Sequence, residues 1–345
     1  MQEQHAKIGY TLMVMASIVI ILAGIKMAAV IIVPFLLALF LATILSPFYL
    51  WLKKMGVHEI LALLIIVLFL FLVISSMITL IGNSVQDFSQ NVPMYEAKLR
   101  TDLSHIFDRL DNWGIHVPKD DFLAMFHTRS VMHYIAGTLR SFGSLLTNSF
   151  MIIMTVIFML MEISQFTAKL AQTNVKGLAT VTEVSGKIKH YILLKTLTSA
   201  ATGLIITIIL KMLGIHYAVL WGLLAFLLNF IPNIGSILAA IPAVMMALVQ
   251  FNITTALIAA GAYLLVNVLI GSILEPRILG KGLGLSTLIV FLSLIFWGWL
   301  LGPIGMLLSV PLTVIIKIVL NTQPNTKWIA TMLGSGEDTK AIIDV

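Results

Sequence analysis

Residues 212–274 read MLGIHYAVLWGLLAFLLNFIPNIGSILAAIPAVMMALVQFNITTALIAAGAYLLVNVLIGSIL, which is 63 consecutive residues without an Asp, Glu, Lys or Arg. A helix crosses the hydrocarbon of a bilayer with about 20 apolar residues, so this run has the length of several spans. The motif Pro232-Asn233-Ile234-Gly235, then Pro242, then Gln250-Phe251-Asn252 interrupt it. We therefore predict apolar helices over about 216–231, 234–250 and 253–274, of which only the last is comfortably long enough to cross.

The composition of the whole chain agrees with a membrane protein. Of 345 residues, 59% are hydrophobic and 10% are charged, whereas about 25% are charged in ordinary soluble domains. The formal net charge of +6 does not form a basic patch, so nucleic acid is not an expected partner and the lipid bilayer is. The absence of cysteine excludes disulfides, thiol nucleophiles and cysteine metal sites.

Further uncharged runs predict the remaining spans. The runs 27–52, 60–86 and 141–161 each hold one span, the stretch 8–25 reads as a retained first helix, and 191–213 gives another. A second broken run, 282–316, is interrupted by Gly302-Pro303-Ile304-Gly305 and by Pro311, which predicts pieces at about 288–301 and 304–320. The predicted fold class is an all-α polytopic membrane protein with about eight hydrophobic helices.

The two broken runs resemble each other, because Pro232, Gly235 and Pro242 are spaced almost like Pro303, Gly305 and Pro311. Paired short hydrophobic segments interrupted by Gly and Pro indicate a transporter binding site. Irregular backbone at membrane depth is tolerated only inside protein or beside a wet cavity. Two readings stay open: re-entrant hairpins entering from opposite faces, or ordinary spans with proline kinks.

Charge asymmetry predicts the orientation. The segment 82–140 carries seven acidic and six basic residues, whereas the rest carries eight and fifteen. By the positive-inside rule this segment faces outward and both termini are cytoplasmic. We divide the chain into an N-terminal scaffold, an extracytoplasmic helical segment, helices with a cytoplasmic loop, a transport unit with broken helices, and a cytoplasmic tail, at 1–81, 82–140, 141–215, 216–320 and 321–345.

The extracytoplasmic segment carries an apolar stripe at steps of four and three, from Tyr95 to Trp113. Pro93 suits the first turn of its helix and Gly114 suits the end. The polar, basic stretch 165–190 predicts a separate cytoplasmic amphipathic helix.

Sequence motifs of the common enzyme classes are missing. The chain contains no Walker phosphate loop, no H-E-x-x-H zinc motif and no G-x-S-x-G nucleophile elbow, and its eight histidines are scattered. We therefore expect a transporter, a channel or a membrane scaffold rather than an enzyme, with neither a metal nor a cofactor.

Charged residues at the edge of the long apolar run are candidates for gating or coupling. Glu275-Pro276-Arg277 ends the run, and a charge near the membrane core is costly unless it is paired or hydrated. In the functional reading Glu275 carries a proton or cation and Arg277 neutralises it or holds an anionic substrate. In the other reading the two form an interfacial pair that stops the helix. Lys195, one turn inside its helix, either joins them or snorkels to the cytoplasmic face.

The polar residues around Pro232 are candidates for substrate binding. Proline frees carbonyls in a helix, and nearby amides and hydroxyls can then bind a neutral polar ligand. The alternative is a structural turn. Asn267 on the next helix either faces this cluster or packs. Trp297 and Trp299, beside the second break, are interfacial anchors or stack on a ligand. The candidate substrate residues are Asn229, Pro232, Asn233, Gly235, Ser236, Asn267, Pro303 and Gly305.

Three blocks of the chain resemble the AI-2E family of bacterial membrane proteins: WGLLAFLLNFIPNIGSILAAIP at 221–242, ILEPRILGKGLGLST at 273–287, and FLSLIFWGWLLGPIGMLLSVP at 291–311. The resemblance implies export of autoinducer-2, a small, oxygen-rich signal, across the bacterial inner membrane. It also implies homo-oligomers, with the pentamer as one expected state. Some relatives are assigned sodium/proton antiport, so this alternative stays open, although the only candidate carboxylates, Glu162 and Glu275, lie near predicted helix ends. We expect alternating access, in which the broken regions and the helix 253–274 move.

Overall fold

The computed structural model describes residues 2–112, 149–172, 178–232, 234–279, 284–322 and 325–334. Within these residues the regular structure is entirely helical, and one isolated bridge joins Leu285 to Gly334. The predicted all-α class is confirmed for this part of the chain. Asn233, the stripe's last residue Trp113, Gly114 and most of the predicted tail lie outside it.

Where the described ranges are continuous, the helices follow one another with short connections. In chain order they are α1 Gln2–Met27, α2 Ala29–Lys54, α3 Glu59–Asn112, α4 Ser149–Gln172, α5 Leu178–Met212, α6 Ala218–Leu228, α7 Gly235–Gln250, α8 Ile253–Val266, a π-helical segment Asn267–Leu274, α9 Glu275–Leu279, α10 Thr287–Leu307, α11 Ser309–Thr322 and α12 Lys327–Met332.

Five helical stretches of the described chain are long and apolar enough to cross a bilayer: Ala29–Lys54, Glu59–Phe88, Ile188–Met212, Ile253–Ile278 and Thr287–Leu307. Five further apolar helices are shorter, Leu12–Met27, Phe150–Glu162, Ala218–Leu228, Gly235–Gln250 and Ser309–Thr322. The chain is therefore a multi-pass membrane protein by length and composition. These five long and five shorter apolar helices of the described chain do not reproduce the predicted number of about eight hydrophobic helices.

The helix α3 corrects the expected start of a helix at Pro93. It runs unbroken from Glu59 to Asn112, with Pro93 inside it and with the predicted boundary at 81/82 inside it as well. Proline removes one backbone donor, but neighbouring packing can hold the helix together. Here Phe88 and Tyr95, on either side of Pro93, are both 1% exposed.

The expected separate amphipathic helix at 165–190 is also corrected. Helix α4 extends to Gln172, and α5 begins at Leu178 and continues to Met212 without a break. The charged stretch is thus shared between the ends of two long helices. The predicted span 191–213 is confirmed, because α5 covers it to within one residue.

The chain divides into two compact units. The first comprises Met1–Lys54, Met151–Ile192 and Lys281–Val345, and the second comprises Met55–Phe150 and Leu193–Gly280. The first unit therefore holds α1, α2, α10 and α11, and the second holds α3, the C-terminal part of α5, α6, α7 and α8. In the second unit a continuous core of buried apolar side chains joins these helices, with Trp221 among the largest.

Candidate functional site

In the second unit, α5 and α6 pack antiparallel through two glycines. A Cβ atom at Gly203 would lie 2.7 Å from the carbonyl oxygen of Gly222, and one at Gly222 would lie 1.7 Å from Oγ1 of Thr207. Close approach at small residues is how helices associate inside membranes. The contact fixes α6 along α5.

The turn that follows α6 returns the chain as α7, so the two form a helical hairpin. A Cβ atom at Gly235 would lie 1.7 Å from the carbonyl oxygen of Leu228, so only glycine fits where the two helices meet. Pro232 lies in this turn and is half-buried, while Ser236, in the first turn of α7, is buried. The predicted helix–break–helix pattern at 216–250 is confirmed.

The tip of this hairpin reaches a polar position on α5. Nδ2 of Asn229 donates to Oγ of Ser199 at 3.0 Å, and both side chains are buried. Counting back along α5 from Met212, Ser199 is 13 residues or about 20 Å from the helix end. The predicted residue Asn229 is therefore at the deep end of the hairpin, well inside the apolar unit.

Polar side chains follow one face of α5 around Ser199. Lys195, Thr198, Ser199 and Thr202 are all buried, and they recur at the three- and four-residue steps of one helical face. The Thr198 hydroxyl donates to the carbonyl of Lys195 and the Thr202 hydroxyl donates to that of Thr198. Because each threonine hydroxyl bonds to a carbonyl of its own helix, neither hydroxyl needs a hydrogen-bond partner on a neighbouring helix.

The nearest turn of α5 carries an ion pair. Nζ of Lys195 lies 2.8 Å from Oε1 and 2.9 Å from Oε2 of Glu275, with side-chain exposures of 7% and 15%. Of the two readings of Lys195, the structure shows the one in which it joins Glu275 rather than snorkelling to the surface, and Lys195, not the expected Arg277, contacts this carboxylate. Arg277 is exposed, whereas Lys195 is 5% exposed. A buried pair of this kind needs both partners, since a single buried charge is strongly unfavourable.

The π segment leads directly into Glu275. It begins at Asn267, whose side chain is half-buried and lies against the following turn of the helix. A Cβ atom at Gly271 would lie 3.1 Å from Oδ1 of Asn267. Helices of the π type are rare and occur frequently at functional sites. In the described part of the chain Asn229 bonds to Ser199, and no hydrogen bond joins it to Asn267.

A second polar network lies at the opposite end of α5 and of the hairpin. The hydroxyl of Tyr95 shares a hydrogen bond with Nδ1 of His216 at 3.0 Å, and the backbone N–H of His216 donates to Oε1 of Gln250 at 2.8 Å. Lys98 donates to the carbonyl of Gln250, and Trp221 donates to that of His216. Burial raises the pKa of the Tyr95 phenol above its usual range. This network ties α3 to the two loops at the base of the hairpin.

The second predicted break is present in the first unit. Inside α10, Gly302 has φ 70° and ψ −154°, and the chain turns back there, since a Cβ atom at Gly305 would lie 2.1 Å from the carbonyl oxygen of Trp297. Nε1 of Trp297 donates to Oγ1 of Thr313 at 3.0 Å. The helical segment before Gly302 thus packs against the segment after it, as α6 packs against α7. Pro303 is exposed and Gly305 is buried.

The aromatic and hydroxyl side chains near this break have distinct surroundings. Trp299 is 54% exposed, and Nζ of Lys26 lies 4.3 Å from the centre of its ring. Trp297 instead packs edge-on against Phe296. Ser309 is fully buried, and its hydroxyl has no hydrogen-bond partner among the described residues.

Sequence reasoning missed the polar face of α5. Thr198, Ser199 and Thr202 are common residues in membrane helices, and none of them interrupts the apolar pattern. Their spacing from Lys195 at steps of three, four and seven residues was the available signal. The sequence pattern singles out Lys195 inside a span, but not the three hydroxyl residues that share its helical face.

The chain matches the model of the AI-2E family transporters over residues 15–325. The chain belongs to the AI-2E transporter family. Among its relatives, this AI-2E transporter is 42% identical over 319 residues to "AI-2 transport protein TqsA" of Escherichia coli (strain K12), covering 92% of its own length and 93% of that protein. It is 38% identical to a protein of Haemophilus influenzae, covering 98% and 100% of the two chains, and 35% identical to YhhT of Escherichia coli, covering 95% of each. Neither of the last two names states a substrate. The expected family is thus confirmed, and with it the class of transporter.

Proposed function

We propose that this AI-2E transporter exports autoinducer-2, a quorum-sensing signal, across the bacterial inner membrane by alternating access as a secondary transporter. The name of TqsA, which refers to AI-2 transport, supports the substrate. The absence of a Walker motif supports a secondary mechanism, because the chain itself has no phosphate loop to hydrolyse ATP.

The observation that carries the proposal is the contact between Asn229 and Ser199 at the deep end of the hairpin. A buried amide and a buried hydroxyl that satisfy each other can exchange that bond for the hydroxyls of a ligand without leaving an unpaired polar group. A small, oxygen-rich and neutral molecule meets this requirement. The ion pair one turn away on α5 is already neutralised, so it does not demand a charged substrate.

We propose that the hairpin turn supplies the remaining contacts. Pro232 and Asn233 would offer freed carbonyls and an amide, and Gly235 would let α6 and α7 meet closely enough to present them. Ser236 and Asn267 are proposed as further donors. In the second hairpin, Pro303 and Gly305 play the corresponding part for a separate portion of the substrate path.

Lys195 and Glu275 are proposed as the gate or coupling pair, with Arg277 as an exposed charge beside it. Breaking a buried pair is costly, so its opening is a natural point of control for a transport cycle. A substrate bound at Ser199 lies about 6 Å along the helix from Lys195, which is one turn. Binding and opening can therefore influence each other directly.

The proposed topology places both termini in the cytoplasm and the segment 82–140 outside, with the two hairpins entering the membrane from opposite faces. The length of α6, 11 residues, supports re-entry, because about 20 residues are needed to cross. We also propose a homo-oligomer, with the pentamer among its states. The predicted transport unit 216–320 would move against a scaffold formed by 1–81 and the segment 82–140, with 141–215 linking them and 321–345 as a tail.

Sodium/proton antiport within the same family is the second candidate. The half-buried carboxylate of Glu275 favours it, since antiport needs an acid within the membrane. Its close pairing with Lys195 disfavours it, because a cation would have to compete with the ammonium group.

Reconstitution in liposomes tests the proposal. The protein is inserted into vesicles, and autoinducer-2 flux is measured with and without a pH or sodium gradient. We expect saturable flux that falls in the Asn229→Ala and Asn233→Ala variants. Gradient-dependent sodium movement without autoinducer-2 flux would support antiport and contradict the proposal. The Asn252→Ala variant is a matched control, because Asn252 caps α8 away from the hairpin tip, where its side chain accepts from the N–H of Thr255.

A further inference from the structure

The buried face of α8 changes its spacing where the π segment lies. The buried positions advance in steps of three, four, three and four residues, as in any α-helix packed on one side. They are Ala256, Ala259, Tyr263, Val266 and Ile270. The next residue facing the core is Glu275, five positions after Ile270.

A regular α-helix would bring a different residue to this face. Continuing by three or four residues from Ile270 reaches Ile273 or Leu274, which are 40% and 43% exposed. The π segment closes its hydrogen-bonded rings with one extra residue, which rotates all that follows by roughly 100°. Glu275 reaches Lys195 because of this rotation.

We infer that the π segment is a register element that positions Glu275 against Lys195, and that its conversion to α-helical register opens the pair during transport. The opening of the pair during transport rests on the proposed function, whereas the two registers are a property of the helix itself. In the second register Leu274 takes the place of Glu275 on the buried face, and Glu275 turns away from Lys195.

The backbone can change between these registers without losing hydrogen bonds, since each N–H exchanges an acceptor five residues back for one four residues back. What the change costs is the ion pair, because Lys195 would then face an apolar side chain. An oxygen-rich ligand held at Ser199, one turn along α5, is placed to supply Lys195 with a new acceptor. Ligand binding would thereby favour the opened register.

Asn267 and Gly271 fit this role at the start of the segment. The carbonyl oxygen of the Asn267 side chain lies over Gly271, and a Cβ atom there would come within 3.1 Å of it. This spacing is tighter than an ordinary contact. Gly271 thus lets the Asn267 side chain rest on the helix where the backbone changes register.

Crosslinking tests the two registers without any transported substrate. The native chain has no cysteine, so Lys195→Cys is combined in one protein with Glu275→Cys and in another with Leu274→Cys. A bifunctional thiol reagent, about as long as the side chains it replaces, is applied in native membranes. We expect both pairs to crosslink, the first through the π register and the second through the α register. Crosslinking of the 275 pair with a silent 274 pair would overturn the inference.

Deletion of Ile273 provides a second test. It places Glu275 four positions after Ile270, so an ordinary α-helix now presents Glu275 to Lys195 and the mismatch that calls for the π register is gone. We expect the 195/275 crosslink to persist while flux falls at least about tenfold, a loss equivalent to roughly 1.4 kcal/mol in the barrier. Ile273→Ala, which keeps the length, is the control.

Flux at the wild-type rate in the deletion variant would overturn the inference, because the π segment would then only place Glu275. If the two double-cysteine proteins show both crosslinks but the wild-type protein does not carry autoinducer-2, the proposed function fails and the register inference stands.

Discussion

The ammonium group of Lys195 contacts both carboxylate oxygens of Glu275, across 80 residues of sequence and inside an apolar helical unit. The pair joins α5 to the end of the π segment. It lies one helical turn from Ser199, to which the tip of the α6–α7 hairpin is bonded. The ion pair and the hydrogen bond between Asn229 and Ser199 therefore occupy adjacent turns of α5.

Removing one member of this pair should destabilise the protein. Glu275→Gln leaves Lys195 buried without its counter-charge, and such losses amount to about 3–5 kcal/mol in buried pairs. The double variant Lys195→Met with Glu275→Leu should recover most of that stability, since neither charge remains. Thermal unfolding in detergent measures both.

Transport separates the structural role of the pair from its proposed role as a gate. We expect the double variant to fold yet to lose most of its autoinducer-2 flux. Lys211→Gln, at the exposed C-terminal end of α5, removes a lysine without touching the pair and serves as the control. Full flux in the double variant would show that the pair only holds the helices together.

Close helix contacts predict a contrast between glycines. At Gly235 a Cβ atom would meet the Leu228 carbonyl at 1.7 Å, and backbone cannot move aside easily. At Gly261, by contrast, no described atom beyond its own helix backbone lies within 4 Å of a Cβ atom. Gly235→Ala should therefore lower the melting temperature markedly. Gly261→Ala should leave it unchanged or raise it slightly, because alanine is the better helix former by about 1 kcal/mol. Equal melting temperatures in the two variants would mean that α6 and α7 do not meet as described.

Much of the fold could be predicted from the sequence, because membrane solvation is a strong constraint. Uncharged runs and the positions of Pro and Gly located α2, the hairpin breaks and the start of α8. The long helix α3 could not be predicted in full, since Pro93 is a local signal for a helix start, and the packing of Phe88 and Tyr95 that overrides it depends on residues more than 100 positions away.

The candidate site shows the same division. The position of Asn229 beside Pro232 predicts it as a site residue, and the charge of Glu275 at the end of an apolar run does the same for that residue. The partners Ser199 and Lys195 depend on how α5 packs against α6 and on a π segment that shifts the phase of Glu275. Periodicity along one helix cannot reveal that shift, because the five-residue step from Ile270 to Glu275 looks like a mismatch until the backbone is known.

The phenol of Tyr95 predicts a loss of stability in alkali. Burial raises its pKa in the folded protein above the value of about 10 found in unfolded chains. The folded state therefore keeps the proton more tightly, so the stabilising contribution is complete below pH 10 and is lost as the pH rises above it. Melting temperatures between pH 9 and 11 should fall more steeply in the wild type than in Tyr95→Phe. Parallel curves would exclude Tyr95 as the source.

Single cysteines can establish whether the two hairpins re-enter the membrane. Ile234→Cys marks the tip of the first hairpin, and Pro303→Cys marks the break in the second; Gly305 is avoided because a Cβ atom there would meet the Trp297 carbonyl. In the proposed topology α5 runs from the basic cytoplasmic side outward, so a re-entrant first hairpin would open to the outside and the second would open to the cytoplasm. An impermeant thiol reagent should therefore label Ile234→Cys from outside and Pro303→Cys from inside. Gln90→Cys and Lys54→Cys, both exposed, report the outer and inner faces. Labelling from the opposite sides would mean that each hairpin crosses fully, because the tips would then emerge at the far surface of the bilayer.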